Sequence, residues 1–88
     1  MPLRIISSAQ IRAGRELLRW SAQDLAEAAT LGVNTIRRAE IAEEEIALTS
    51  ANSLAIRRAL EIAGVEFIDE NGGGPGVRLR KRQRSKPA

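Results

Sequence analysis

Cysteine and histidine are both absent from this 88-residue chain. Without cysteine, the chain can form neither a disulfide nor a thiolate metal site. Without histidine, it lacks the most common general base, the usual partner of a serine or cysteine nucleophile, and the most common zinc ligand. These absences do not exclude an enzyme, but they remove its usual components. We therefore predict a protein that is not an enzyme and that binds no metal and no cofactor.

Long apolar runs are absent as well. No apolar stretch approaches the roughly 18 residues of a membrane span, and the first residues lack the pattern of a signal peptide. We therefore expect no association with membranes and a cytoplasmic location. A chain this short buries only ~60–65% of its unfolded surface. We expect one domain with a small core, for which an apolar content of 43% is sufficient.

Positive charge is scarce over most of the chain and concentrated at its end. Residues 1–76 contain eight arginines and eleven carboxylates, a net charge of −3, whereas residues 77–88 contain six basic residues and no acid, a net charge of +6. Such asymmetry is typical of an interaction tail. Residues 81–88 are predicted to be disordered, and the tail either binds nucleic acid or only aids solubility. The basic residues from position 80 onward are Arg80, Lys81, Arg82, Arg84 and Lys86.

Two helix-start signals follow each other closely. In each, a serine is followed three residues later by glutamine or aspartate, which is the spacing of a capping box, and apolar residues occupy the positions of a hydrophobic staple. The signals predict one helix from Ser7 to about Arg19, with Leu17 in its apolar stripe, and a second helix that begins at Ser21. The capping pairs are Ser7–Gln10 and Ser21–Asp24, and the staple pairs are Ile6–Ile11 and Trp20–Leu25.

The following segment predicts a helix-turn-helix. The second helix presents Leu25 and two alanines on one face, so another helix can approach it closely. After a short break at residues 30–32, a third helix is predicted over residues 33–40. Two helices joined so tightly within residues 21–40 must cross steeply. The residues expected to point into their shared core are Leu25, Ala26, Ala29, Leu31, Ile36 and Ala39.

A fourth helix is predicted after a less regular stretch. Residues 41–53 are expected to form a loop or a fraying helix end. The fourth helix should run from about Ser50 to Ala63, because apolar residues recur there at helical spacing. Gly64 is well placed to end it.

Beyond this glycine the apolar period changes from helical to two, which predicts a β-hairpin over about residues 65–80. Turn-forming residues separate two short strands. A lone two-stranded ribbon is only marginally stable, so the hairpin should pack on the fourth helix or pair with a second subunit. The register that places all apolar residues on one face pairs Val65 with Leu79, Glu66 with Arg78, and Phe67 with Val77.

These segments resemble a known family. The segment QIRAGRELLRWSAQDLAEAATLGVNTIRRAE (10–40) is similar in spacing and type to the helix-turn-helix of the Cro/C1 (XRE) family of bacterial transcriptional regulators. The segment GVEFIDENGGGPGVRLRK is similar to the C-terminal hairpin of small alphaproteobacterial members. The resemblance covers about four-fifths of the chain. It implies a mainly α fold, in which residues 1–80 form a four- to five-helix Cro/C1-like domain with a short C-terminal β-hairpin.

The resemblance also implies how the chain would bind operator DNA. The third helix would enter the major groove, where each base pair presents a distinct pattern of donors and acceptors. Val33, Asn34, Arg37 and Arg38 would face the bases: valine against a thymine methyl group, asparagine on adenine, and arginine on guanine. The N-terminus of the second helix, at Ser21, Ala22 and Gln23, would contact a phosphate through its free N–H groups. The chain would then be a homodimeric transcriptional regulator.

The sequence departs from the family pattern in two places. Thr30 stands where the turn usually has glycine, and Gly32 stands where it usually has a polar cap. The stretch after the third helix usually offers lysine, arginine or backbone N–H groups to the phosphates. Here it contains Glu43, Glu44 and Glu45, which would repel phosphates.

This acidic triplet supports an alternative function. A surface with negative charge suits an antiactivator or adaptor that uses the same fold to bind a transcription factor protein and has little affinity for DNA. In that case the triplet would be a partner-binding patch. Arg37 and Arg38 would form a solvated helix face, paired with Glu40 and the triplet.

Overall fold

The computed structural model describes residues 6–41, 50–69 and 71–80. Within these ranges the chain is mainly helical, with four helices and one two-stranded antiparallel hairpin, as predicted. The elements are α1 (Ser8–Leu17), α2 (Ala22–Ala29), α3 (Val33–Ile41), α4 (Ser50–Ile62), β1 (Val65–Ile68) and β2 (Gly76–Leu79).

Helices α1 and α2 both begin with the predicted capping boxes. The Ser7 hydroxyl accepts a hydrogen bond from the backbone N–H of Gln10 at 3.1 Å, and the Gln10 side-chain oxygen accepts one from the Ser7 N–H at 2.9 Å. Ser21 and Asp24 form the same reciprocal pair at 3.0 and 2.9 Å. Each box satisfies two backbone donors that a helix start leaves without partners, so local sequence fixes where both helices begin.

The two helices also end alike, on a residue in the left-handed region. Arg19 and Thr30 both have φ of 60°. Beyond Thr30, the N–H of Leu31 donates to the carbonyl of Ala26 at 2.9 Å, and the Thr30 N–H donates to the Glu27 carbonyl at 3.3 Å. This is the Schellman arrangement, in which glycine is usual because a side chain is strained there. The position at which the resembled family has glycine is thus left-handed in this chain, although threonine occupies it.

The core lies where the four helices meet β1. Most of the predicted inward residues are buried, but Leu31 is only half-buried at the edge of the core, and Leu17 is 40% exposed. The contact between α1 and α4 forms at Gly14 instead, where an added Cβ would lie 3.3 Å from a methyl group of Leu60. The buried apolar residues are Ile6, Ile11, Leu25, Ala26, Ala29, Ile36, Ala39, Ile56, Ala59, Leu60, Val65 and Phe67.

The end of α3 and the start of α4 refine the prediction for residues 41–53. Ile41 is the last residue of α3, and α4 begins at Ser50. Residues 42–49 lie outside the described residues. Gly64, with φ of +116°, follows α4 as predicted.

The hairpin has the predicted register, with Val65 opposite Leu79 and Phe67 opposite Val77. It packs on helices rather than standing alone, because β1 contacts α4 and β2 contacts α1. The side chain of Gln10, beyond its role in the α1 cap, donates to the carbonyl of Gly76 at 3.0 Å. This one buried amide therefore joins the start of α1 to the start of β2.

Candidate nucleic-acid interface

Helices α2 and α3 are joined by three residues and pack on each other through small side chains. Leu25 and Ala29 of α2 are buried together with Ile36 and Ala39 of α3. Alanine on both sides lets the two backbones approach closely. Because these residues take up one face of α3, its opposite face is left in solvent.

Three polar side chains occupy that solvent face. Asn34, Arg37 and Arg38 are exposed, and within the described part of the chain none of them makes a hydrogen bond or an ion pair. Val33, the fourth predicted base contact, is half-buried and packs against the core, so only part of its side chain is available to a partner. Among the described residues, the side chains of Asn34, Arg37 and Arg38 thus face solvent without a partner.

The periodicity of an α-helix shows which of these three side chains point most directly into solvent. Residues four apart lie nearly above one another at 3.6 residues per turn. Asn34 and Arg38 therefore share one row, on the side of α3 opposite the buried Ile36 and Ala39. Arg37 is rotated about 100° from Arg38. We infer that Asn34 and Arg38 point most directly away from the protein and that Arg37 points to one side.

Glu40, the single carboxylate of α3, does not share this face. It is only 7% exposed, and both of its carboxylate oxygens accept hydrogen bonds from Arg15 of α1, at 2.7 Å from Nε and 3.0 Å from Nη2. The hydrogen bond with Glu40 raises the pKa of Arg15, partly opposed by its burial. The expectation that Glu40 pairs with Arg37 and Arg38 is therefore wrong. It points back into the protein.

Arg15 is a residue of this region that no motif in the sequence predicts. The side chains of Arg15 and Glu40 are 17% and 9% exposed, which makes this the most deeply buried ion pair in the described ranges. One signal was present in the sequence, since Glu40 follows buried Ala39 and lies one turn beyond buried Ile36. A carboxylate so placed is adjacent to the core and needs a partner.

Gln23, predicted to contact a phosphate, lies exposed in the first turn of α2. Its side-chain nitrogen donates to Glu27, one turn further along the same helix, at 3.1 Å. The amide is therefore directed along α2, and it has to leave Glu27 to reach a ligand at the start of the helix.

Arg80 is part of the hairpin rather than a free element of the basic tail. Its backbone N–H donates to the Gly64 carbonyl at 2.7 Å, and its guanidinium donates to the carbonyl of Glu61 in the last turn of α4. The remaining predicted tail contacts (Lys81, Arg82, Arg84 and Lys86) and the acidic triplet (Glu43, Glu44 and Glu45) lie outside the described residues.

Among the described residues, no helix is long and apolar enough to cross a membrane, and no three acidic side chains cluster as metal ligands would. No protein-family model matches the chain, and a comparison with curated proteins gives no match either.

Proposed function

We propose that this chain is a bacterial transcriptional regulator that binds operator DNA, with α2 and α3 as a helix-turn-helix of the Cro/C1 type. The observation that carries the proposal is the solvent face of α3, where Asn34, Arg37 and Arg38 are exposed together and have no partner within the described part of the protein. An α-helix about 10–12 Å in diameter fits a major groove about 12 Å wide.

The charge of α3 supports contact with nucleic acid. Arg37 and Arg38 give this face two positive charges. The one carboxylate of the helix, Glu40, is buried against Arg15 and does not cancel them at the surface. Because DNA carries a dense row of phosphates, an exposed helix with net positive charge is attracted to it at any sequence.

The side-chain types on this face support sequence reading. Arginine can donate two hydrogen bonds to guanine, and asparagine can pair with adenine through one donor and one acceptor. The exposed part of Val33 suits a thymine methyl group. Asn34 and Arg38 lie one turn apart, roughly 6 Å along the helix, so they would read base pairs about two steps apart.

The start of α2 would contact the backbone of the DNA. Exposed Gln23 can rotate from Glu27 toward a phosphate, and exchanging one exposed hydrogen bond for another costs little. Regulators of this class bind as dimers to half-sites about one helical turn apart, so we infer that the chain acts as a homodimer.

Selection from a pool of duplexes with a random central segment tests the proposal. We expect one sequence to be enriched and to bind about 10³-fold or more tightly than a scrambled duplex of equal composition. Its affinity should fall steeply between low and moderate salt, because each phosphate contact releases counterions. If no sequence is enriched even at low salt, the proposal is wrong.

The acidic triplet of residues 43–45 provides the test against a protein-binding antiactivator. Changing Glu43, Glu44 and Glu45 to glutamine removes three negative charges at nearly constant shape. In a DNA-binding protein this triple change should tighten binding, most strongly at low salt, where screening is weakest. In an antiactivator it should slow the association with the protein partner, and the wild type should lack specific DNA affinity.

A further inference from the structure

The ion pair between Arg15 and Glu40 is built as a two-point clamp. Nε and Nη2 of the guanidinium reach the two carboxylate oxygens at 2.7 and 3.0 Å. A bidentate pair of this kind fixes the rotation of both groups as well as the distance between them. Arg15 lies on α1, and Glu40 lies in the last turn of α3.

Two further hydrogen bonds extend the clamp, one to the residue that precedes the cap of α2 and one to the end of α3. The third guanidinium nitrogen of Arg15, Nη1, donates to the backbone carbonyl of Trp20 at 2.8 Å, and Trp20 directly precedes Ser21, the residue that caps α2. Arg12, one turn earlier on α1, donates to the backbone carbonyl of Glu40. The arginines of α1 thus hold both the start of α2 and the end of α3.

We propose that Arg15 and Glu40 are positioning residues for DNA recognition, which set the orientation of α3 relative to α1 and α2 and are not required for the stability of the fold. This inference rests on the proposed function. The residues that it serves are Asn34 and Arg38, on the opposite side of α3 from Ile36 and Ala39.

The energetics of buried ion pairs favour a role for Arg15 and Glu40 in positioning α3 over a role in stabilising the fold. Removing two charged groups from water costs free energy that can exceed the gain from their attraction, so apolar residues of similar size often replace a buried ion pair without loss of stability. The core beneath the clamp is already apolar, since Ile36 and Ala39 are buried beside Glu40. The same replacement leaves the net charge unchanged, so long-range attraction to DNA is not altered.

Apolar residues in place of the ion pair would hold the orientation of α3 less precisely, even if the fold is kept. Apolar side chains of about the right size maintain a fold, but they specify a single arrangement less sharply than matched partners do. Hydrogen bonds from α3 to base edges tolerate only small displacements, because their strength falls steeply as angles depart from linearity. A helix that can tilt or rotate slightly keeps its charge near the phosphates but loses its base contacts.

The double variant Arg15→Met/Glu40→Leu tests this inference. Its matched control is Arg57→Met/Glu61→Leu, which removes the half-buried ion pair of α4, with Nε and Oε2 at 2.9 Å. Both variants and the wild type are measured by denaturant unfolding, and then by affinity for the duplex selected by the wild type and for a scrambled duplex. The ratio of the two affinities is the readout, because loss of fold alone lowers both affinities together.

We expect the first double variant to unfold cooperatively and to bind the scrambled duplex as the wild type does. Its affinity ratio should fall about tenfold, the size of one lost base contact, whereas the control should keep the wild-type ratio. An unchanged ratio in a folded Arg15→Met/Glu40→Leu protein overturns the inference.

A failure of the double variant to fold also overturns the inference, because the pair is then required for stability. Arg15→Lys provides a second test, because lysine keeps the positive charge but cannot donate two parallel hydrogen bonds to a carboxylate. It should lower the ratio of the two DNA affinities, whereas Arg57→Lys should not. If the wild type selects no sequence, the proposed function itself is wrong and the inference falls with it.

Discussion

At the scale of single residues, Thr30 carries strain that can be measured. With φ of 60°, this β-branched residue occupies a backbone region that costs an L-residue roughly 1–2 kcal/mol. Thr30 is exposed, so its side chain contributes little packing in return. The left-handed conformation is imposed by the two hydrogen bonds that close the end of α2.

We therefore predict that Thr30→Gly raises the free energy of unfolding by about 1 kcal/mol, less than the full strain because glycine loses more backbone entropy on folding. Denaturant unfolding would measure it. The control is Thr35→Gly, the same substitution inside α3, which should destabilise by a similar amount because glycine is a poor helix former. If Thr30→Gly lowers the free energy of unfolding, Thr30 is not strained in the folded protein.

Leu25 anchors the contact between α2 and α3, and it is 0% exposed. Leu25→Ala should lower the free energy of unfolding by about 2–4 kcal/mol, through lost burial and the cavity that remains. Leu17→Ala is the control, because Leu17 is 40% exposed and should lose about 1 kcal/mol or less. A loss below about 0.5 kcal/mol for Leu25→Ala would place this side chain outside the core.

The residue scale also shows what the sequence can predict. The capping boxes join residues three apart, so the motif itself contains both partners of each hydrogen bond. Arg15 and Glu40 are 25 residues apart, and nothing in a helical pattern states which arginine turns inward. The candidate base contacts were predicted as a group, but only the structure shows that Val33 is partly used in packing.

At the scale of elements, the hairpin connects its two strands through a surface ion pair. Arg78 Nε lies 3.0 Å from a carboxylate oxygen of Glu66, on the face away from the core. The hydrogen bond from Arg78 and the charge of Arg78 lower the pKa of Glu66. The pair therefore stabilises the hairpin fully at pH values above the ordinary pKa of glutamate, about 4.3. This stabilisation is lost as the pH falls through the lowered pKa of Glu66.

We predict that Arg78→Gln raises the pKa of Glu66 toward its ordinary value, because the hydrogen bond and the charge of Arg78, the two largest causes of the shift, are removed together and only the charge of Arg80 still lowers it. Titration of the Glu66 carboxyl carbon by nuclear magnetic resonance measures this directly. Arg58→Gln, which removes one exposed arginine from α4, should leave the Glu66 titration where it is in the wild type. An unchanged midpoint in the Arg78 variant would mean that the ion pair does not persist in solution.

The elements themselves were largely predictable, and their packing was less so. Helix and strand positions follow from periodicity, and the register of β1 on β2 follows because a one-residue shift would turn every apolar side chain to the wrong face. The sequence left open whether the hairpin packs on α4 or on a second subunit. It packs on both α4 and α1, with Gln10 as the polar link, a contact between residues 66 apart that no local pattern indicates.

At the scale of the whole molecule, the net charge of +3 is a poor guide to function. Negative charge predominates over residues 1–76, yet the exposed face of α3 is positive because Glu40 is withdrawn against Arg15. The local arrangement of charge, rather than its sum, decides which surface can approach DNA. The proposed binding of DNA therefore depends on one face of one helix, and a substitution on that face tests it most sharply.

The most direct measurement is the DNA sequence preference of Arg38→Ala, obtained by selection from a random duplex pool beside the wild type. We predict that the variant retains most of the wild-type consensus but loses its preference at one guanine, with a cost of about 1–3 kcal/mol on the selected duplex. The matched control, Arg58→Ala, removes the same charge from an exposed position on α4 and should select the wild-type consensus. If Arg38→Ala selects that consensus unchanged, α3 does not read DNA in the way proposed here.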